Sequence, residues 1–283
     1  MALDTVQILK RHFPNATLTQ LTGGYTNQSY RLEGSDPPVM AKIFTENKSS
    51  ARVEINALTL LNQSGVTPGL RDFFEEKSSL FVIMDYIKGI NGQRILDEGD
   101  LDTAREMYKR LGIDLAMRIH SIKRGNVAPV LPVIELVSSE SDLLNVIPNP
   151  LKDKVSGLLK VAVEEHNITL IHGDYGPHNV LLTQESLFVI DWEWAGWGNP
   201  LQDVAWVVWF VGLHYPQWSS ELSGIFLRSY RAHSDVEITE EAVKAFALSK
   251  AVHILNWIGD GNQEARKEWL RRLEWTVETP LLG

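Results

Sequence analysis

Three oxygen-bearing side chains set the first expectation. In Ile171-His172-Gly173-Asp174-Tyr175-Gly176-Pro177-His178-Asn179-Val180-Leu181-Leu182, an Asp and an Asn stand five positions apart between apolar runs. A further apolar run, Phe188-Val189-Ile190, ends on Asp191-Trp192-Glu193. Phosphoryl transfer from a nucleotide asks for a carboxylate facing the acceptor hydroxyl, an oxygen ligand for Mg²⁺, and a second carboxylate bridging the metal to the phosphates. Asp174, Asn179 and Asp191 have the types and the order for those roles. The same stretch also admits a metal hydrolase, since His172, Asp174, His178 and Asp191 are all capable Zn²⁺ ligands. A His-Gly-Asp alone is a common turn at a strand end.

Charge sharpens the reading. Residues 171–220 hold five carboxylates and no Lys or Arg. Converging carboxylates raise one another's pKa unless a cation compensates. The whole chain, 283 residues with 44% hydrophobic and 22% charged, is globular in composition and long enough for a sizeable core. Nine Trp and nine Phe are too many for a solvated chain. With no Cys, disulfides, thiol nucleophiles, Fe–S clusters and Cys-ligated zinc are excluded. A net charge of −9 argues against a nucleic-acid coat or a basic membrane-surface protein. The longest apolar run, Val204 to Leu213, is half the roughly 20 residues of a membrane span. Met1 to Pro14 lacks the apolar core of a signal peptide, and the expectation is a cytoplasmic protein.

The elements that must position these groups follow from periodicity. Residues 3–12 read as a short amphipathic helix. Residues 18–32 and 38–45 read as strands about a Gly34-Ser35-Asp36-Pro37-Pro38 turn, residues 50–63 as a helix capped by Ser49 or Ser50, and residues 79–84 as a strand. Asp85 to Gly92 reads as a linker. Helices are predicted over 102–120, 139–145, 150–166, 201–213, 217–232, 239–258 and 262–275, with short strands at 168–171, 180–182 and 187–190. The expected fold class is α+β: a small β-rich lobe over 1–84, a connection over 85–92, and a larger mainly helical lobe over 93–283.

His172-Gly173-Asp174-x-x-x-x-Asn179 followed by Ile190-Asp191 resembles the aminoglycoside phosphotransferase and choline kinase family, relatives of the protein kinases with their His-Arg-Asp loop. Gly196-x-Gly198-Asn199-Pro200-x-x-Asp203 resembles the family's Gly-Asp-Pro-x-x-Asp stretch, with Asn199 standing where Asp is usual. The resemblance covers most of residues 18–210 and implies a protein-kinase-like two-lobed fold. It implies Asp174 as the catalytic base, Asn179 and Asp191 as Mg²⁺ ligands, His172 as a buttress of the loop and Asp203 as a structural acid. Mg²⁺ and the Lys42 ammonium would then supply the positive charge missing from 171–220.

On the nucleotide side there is no Walker loop and no Gly-x-Gly-x-x-Gly. Gly23-Gly24-x-Thr26-Asn27 is similar to the family's nucleotide loop. Lys42, inside the apolar Val39-Met40-Ala41-Lys42-Ile43-Phe44, matches the lysine that contacts the α- and β-phosphates, with Glu54 as its partner. Backbone groups of Asp85, Tyr86 and Ile87 match the hinge that holds adenine. ATP is the implied cofactor, with GTP left open. The implied partner is a small molecule bearing a hydroxyl: an aminoglycoside, a macrolide, a choline-like alcohol, homoserine or a sugar. Glu193 and Asp260 are candidates for holding an ammonium on it, beside the many Trp of the helical lobe. A nucleotide-binding scaffold without activity is the alternative from another class.

Overall fold

The structure, a computed structural model, describes residues 2–21, 27–34, 37–125, 130–160 and 168–282. In chain order the elements are α1 (Ala2–His12), β1 (Thr17–Leu21), β2 (Gln28–Glu33), β3 (Val39–Phe44), α2 (Lys48–Leu61), β4 (Leu70–Glu76), β5 (Ser79–Asp85), β6 (Ile90–Asn91), α3 (Gly92–Asp97) and α4 (Leu101–Asp114). There follow β7 (Val133–Ile134), α5 (Leu151–Leu159), β8 (Thr169–Ile171), β9 (Val180–Leu182), β10 (Leu187–Val189), β11 (Gly196–Gly198), α6 (Leu201–His214), α7 (Ser219–Arg231), α8 (Glu240–Ile258) and α9 (Gln263–Glu278). They form two compact units: Met1–Ile90 with Val127–Leu131 and Val180–Ala195, and Asn91–Asn126 with Pro132–Asn179 and Gly196–Gly283.

The first unit is built on a five-stranded antiparallel sheet of order β1-β2-β3-β5-β4. Its strands alternate faces with a period of two. Ala41 and Ile43 of β3 join Ile8 and Leu9 of α1, with Tyr30, Leu32, Phe81 and Ile83, in one buried cluster. Each large apolar side chain so buried contributes about 1.5–3 kcal/mol. Alternation sends Lys42 and Phe44 to the opposite face, with the ammonium 4.9 Å from the Phe44 ring centroid. α2 begins earlier than the sequence predicts, because the cap is Asn47, whose side-chain oxygen accepts from the Ser50 N–H at 3.2 Å. β4 has no counterpart in the sequence reading. Its hairpin to β5 turns through Lys77 (φ 51°) and Ser78 (φ 79°), a left-handed pair that sequence usually signals with Asn or Gly.

A linear division at residues 84 and 92 assigns 180–195 to the helical lobe. In the structure that stretch packs into the first unit. The Val189 N–H donates to the Val66 carbonyl at 2.7 Å, and the turn Trp192–Trp194 packs on α2. The β9–β10 hairpin therefore delivers Asp191 to the face that carries Lys42.

The second unit is mainly helical. α4 packs on α7, and α8 packs on both α6 and α9. The predicted 102–120 helix is α4 followed by a π-helical turn at Leu115–Ile119. The predicted 139–145 helix is a single 3₁₀ turn at Asp142–Val146, and the 150–166 helix is α helix over Leu151–Leu159, with 161–167 outside the described residues. A small sheet of order β7-β11-β8 supports the loop that follows β8. Its close approach explains the glycines of the Gly196-x-Gly198 motif. A Cβ at Gly196 would stand 2.7 Å from the Pro132 carbonyl oxygen, and one at Gly198 2.6 Å from Ile171. The Asn199 side-chain oxygen accepts from the N–H of Leu201, the first residue of α6, at 2.9 Å. Among the described residues no helix is long and apolar enough to cross a membrane.

Candidate active site

In the second unit the His172–Asn179 loop is held at every turn. Asp203, fully buried at the start of α6, accepts from the His172 N–H at 2.7 Å and the Gly173 N–H at 2.8 Å. Its Oδ2 also meets His120 Nε2 at 3.2 Å, and His120 Nδ1 meets the Tyr230 hydroxyl at 2.8 Å. A buried carboxylate needs such partners. Gly173 takes φ +78°, a conformation costly to any residue with a Cβ. His172 Nδ1 accepts from the Asp174 N–H at 3.2 Å, and the Tyr175 hydroxyl donates to the Leu111 carbonyl of α4 at 3.0 Å. His172 and Asp203 are thus both tied to the backbone of this loop.

This framework leaves the Asp174 carboxylate 26% exposed. Asn179 Nδ2 donates to both the backbone oxygen and Oδ2 of Asp174, each at 2.9 Å. His178 Nε2 meets Oδ2 at 3.2 Å. Lys250 of α8 donates to the Gly173 carbonyl at 2.6 Å, and its ammonium stands 3.7 Å from Asp174 Oδ1. Burial would push the Asp174 carboxyl up, but Lys250, then His178 and His172, outweigh it and hold the group well below the usual carboxylate range. Burial likewise pulls the Lys250 ammonium down, against Asp174 and Asp203.

Sequence reasoning missed Lys250, although a signal exists: it interrupts a buried stretch of α8, between Ser249 and Ala251. It is the same signal that singles out Lys42 in β3. Part of the positive charge absent from 171–220 therefore comes from α8.

In the first unit Lys42 joins Glu54 and Asp191. Its ammonium donates to Glu54 Oε2 at 2.7 Å and to Asp191 Oδ1 at 2.5 Å. Glu54 is 1% exposed and also accepts from the Trp192 N–H. Burial alone would lower the Lys42 pKa; Glu54, Asp191 and Glu193 reverse that and keep the ammonium charged. Burial pushes the Glu54 carboxyl up against the pull of Lys42. Asp191 adopts φ +67°, and its side chain stays 39% exposed. Glu193 lies in this cluster, taking a hydrogen bond from Asn27 at 3.1 Å, and burial followed by Asp191 pushes it up to about 7. Gly23, Gly24 and Thr26 lie outside the described residues. Of the three residues expected at the hinge, the Asp85 N–H donates to the Gly69 carbonyl at 2.9 Å and the Tyr86 N–H to the Pro38 carbonyl at 3.0 Å. Asp260 stands 92% exposed beside Arg266 at 3.6 Å. A cavity of about 490 Å³ on this unit, lined by His12, Leu32, Val39, Arg71 and Ile83 among others, includes none of the charged cluster.

Among the described residues no three His, Asp or Glu side chains gather as a metal set. His172 is fully buried and its Nδ1 is engaged by the Asp174 N–H, which removes it from a zinc hydrolase reading. Mg²⁺ needs less from the protein, one or two oxygens beside substrate phosphates and water.

No curated protein sequence matches the chain significantly. Solved structures do. The aminoglycoside phosphotransferase APH(4)-Ia is 16% identical with a TM-score of 0.73, over 98% of each chain. A choline/ethanolamine kinase family protein from Mesorhizobium loti is 19% identical with a TM-score of 0.70, over 100% of this chain and 97% of that one. The choline kinase LicA from Streptococcus pneumoniae is 18% identical with a TM-score of 0.68, over 97% of this chain and 99% of that one. At these identities the likeness is one of fold, the protein-kinase-like α+β fold. A sequence model of the phosphotransferase enzyme family, APH, matches residues 17–246. With the anchored His172–Asn179 loop and the Lys42–Glu54–Asp191 cluster, that match settles the family: the chain belongs to the APH phosphotransferase enzymes.

Proposed function

We propose that the protein is a cytoplasmic ATP- and Mg²⁺-dependent kinase that moves the γ-phosphoryl group to a hydroxyl of a small molecule. The observation that carries the reading is the pairing of Lys42 with both Glu54 and Asp191. An ammonium so neutralised and so fixed is suited to hold phosphates and not to act as a base. Relatives of this fold have been solved with AMP-PNP and hygromycin B, with ADP and hygromycin B, and, for the amicoumacin kinase hAmiN, with AMP-PNP and Ca²⁺. GTP in place of ATP is compatible with a hinge that uses backbone groups.

In this reading Gly23, Gly24, Thr26 and Asn27 line the phosphates, and Asp85, Tyr86 and Ile87 form the hinge, with the Ile87 N–H meeting the base. Asp191 has an oxygen beyond the one Lys42 takes, and Asn179 donates its amide nitrogen to Asp174, which leaves its oxygen as the ligand atom. Both fit Mg²⁺, which would neutralise charge on the phosphates. Asp174 orients the acceptor. Its Oδ2 is engaged by His178 and Asn179, while Oδ1, 3.7 Å from the Lys250 ammonium, keeps a lone pair to accept the hydroxyl hydrogen bond and take the proton as the acceptor oxygen bonds to phosphorus and the bond from phosphorus to the ADP oxygen breaks. A carboxylate held this acidic is a weak base. A loose transition state asks mainly for orientation, and the proton moves late.

The test follows ADP release from Mg²⁺-ATP with aminoglycosides, macrolides, choline, ethanolamine, homoserine and sugars as acceptors. Acceptor-dependent ADP that disappears in Asp174→Ala while nucleotide still binds is the expected result. Undiminished turnover in that variant would refute the role of Asp174.

A further inference from the structure

We propose that His178 is a positioning residue of the transfer: its Nε2–H clamps Oδ2 of Asp174 and so turns Oδ1 toward the acceptor hydroxyl. The inference rests on Asp174 as the group that receives that hydroxyl. The two side chains stand four residues apart on the loop and meet at 3.2 Å. Burial opposes ionisation of Asp174, but Lys250, His178 and His172 overcome it, so Oδ2 is a carboxylate oxygen and can only accept. The hydrogen of the pair therefore sits on Nε2.

Asn179 also donates to Oδ2, but its duties are divided. Its Nδ2 serves the Asp174 backbone oxygen at the same 2.9 Å, and its oxygen is the atom offered to Mg²⁺. The Nε2–H of His178 has one duty, and a donor on an ionised oxygen makes a stronger hydrogen bond than a neutral pair.

His178 itself is held at three points, all within the second unit. Its ring stacks on Phe210 of α6, with centroids 4.7 Å apart and planes inclined by 24°. Its edge fills the space that Gly176 leaves: a Cβ there would stand 2.9 Å from Cε1 and 3.0 Å from Nδ1. Its backbone carbonyl accepts from Asn91 Nδ2 at 2.8 Å, and the Asn91 side-chain oxygen accepts from the Gln93 and Arg94 N–H groups at the start of α3. The fourth feature is a cost. Nδ1 is buried with no partner among the described residues, which is a loss to the folded state. A phenyl ring would pack on Phe210 without that loss. What the imidazole adds is the donor on Asp174.

The experiment is steady-state kinetics of the full-length protein with Mg²⁺-ATP and whichever of the aminoglycosides, macrolides, choline, ethanolamine, homoserine and sugars releases most ADP. His178→Phe keeps a ring and removes the donor; kcat should fall about tenfold or more while the KM for ATP stays within about twofold. His178→Gln returns an N–H to the place of Nε2 and should recover kcat to within about threefold of the parent. Gly176→Ala leaves every polar group in place and crowds the ring; it should lower kcat as His178→Phe does and add nothing when the two are combined. Far-ultraviolet dichroism and thermal melting confirm that the variants fold. A His178→Phe kcat within about twofold of the parent, a His178→Gln no better than His178→Phe, or losses from Gly176→Ala and His178→Phe that multiply would each overturn the proposal. Nitrogen-15 spectra of histidine-labelled protein give a readout apart from turnover. The His178 signal, identified by its absence in His178→Phe, should show hydrogen on Nε2 and a bare Nδ1, and should shift in Asp174→Ala. If the parent releases no ADP with any acceptor, the kinase reading falls separately; hydrogen on Nδ1 instead, or a signal unmoved by Asp174→Ala, overturns the clamp itself.

Discussion

Lys42→Met isolates one buried ion pair of the first unit. The side chains of Lys42 and Glu54 are 11% and 2% exposed and meet at 2.7 Å. At an effective dielectric near 20, unit charges so close attract by about 6 kcal/mol, against which stands the desolvation of both. Removing the lysine leaves Glu54 buried with the Trp192 N–H as its remaining donor, while the more exposed Asp191 can turn to water. Breaking a buried pair from one side costs about 3–5 kcal/mol. In urea, with a slope near 3 kcal/mol/M, the midpoint should fall by roughly 1–1.7 M.

The pH dependence carries the sign. Without Lys42, the folded pKa of Glu54 rises further above its ordinary 4.5, so the folded state binds the extra proton. Stability is then lost as pH rises through the window above 4.5, at about 1.4 kcal/mol per pH unit. Between pH 5 and 7 the variant should lose more stability than the parent, whose Glu54 is raised less. Lys42→Met/Glu54→Leu should recover most of the deficit and flatten the profile. A single variant within 1 kcal/mol of the parent, or a double variant no better than the single, would refute the argument.

Asp203→Asn exchanges an oxygen for an NH₂ against two backbone donors and should cost about 1–3 kcal/mol. Because the loop and not the Lys42 cluster is disturbed, kcat should fall while the KM for ATP stays within about twofold, read by steady-state kinetics. Gly173→Ala forces a Cβ into φ +78° and should cost about 1–2 kcal/mol, read as a lower melting temperature. Nucleotide at a hundredfold excess over its Kd should stabilise the protein by about 2.7 kcal/mol. Chelating Mg²⁺ should remove most of that shift, and an equal shift with EDTA would count against Asn179 and Asp191 as ligands.

The helices from α6 to α9 were legible because their apolar periodicity runs for three turns or more. The His172–Asn179 loop could be placed between β8 and β9 because apolar runs flank it on both sides. Lys42 and Glu54 could be paired because a lysine in an apolar strand demands a partner. What escaped was carried by geometry or by distance along the chain. β4 was hidden by the Lys77-Ser78 turn, which takes left-handed φ values without the residues that advertise them. β11 is three residues long and defined by what its glycines let approach. Lys250 lies 76 positions from Asp174 in sequence, and only folding brings α8 to the loop. Glu193 looked like an acceptor ligand from its place beside Trp192, whereas its contacts are with Asn27 and the Lys42 cluster.

The inclusion of Val180–Ala195 in the first unit bears on how the chain is made. Glu54 leaves the ribosome long before Trp192, whose N–H completes its coordination, and before Asp191, the second partner of Lys42. At roughly 5–20 residues per second, synthesis of the intervening segment takes on the order of 10–30 s. Over that interval the nascent first unit carries a buried ion pair short of its last partners, and the chain being made in the meantime belongs mostly to the second unit. The first unit is therefore finished late, and a fragment ending at Ile90 would stop before it is whole.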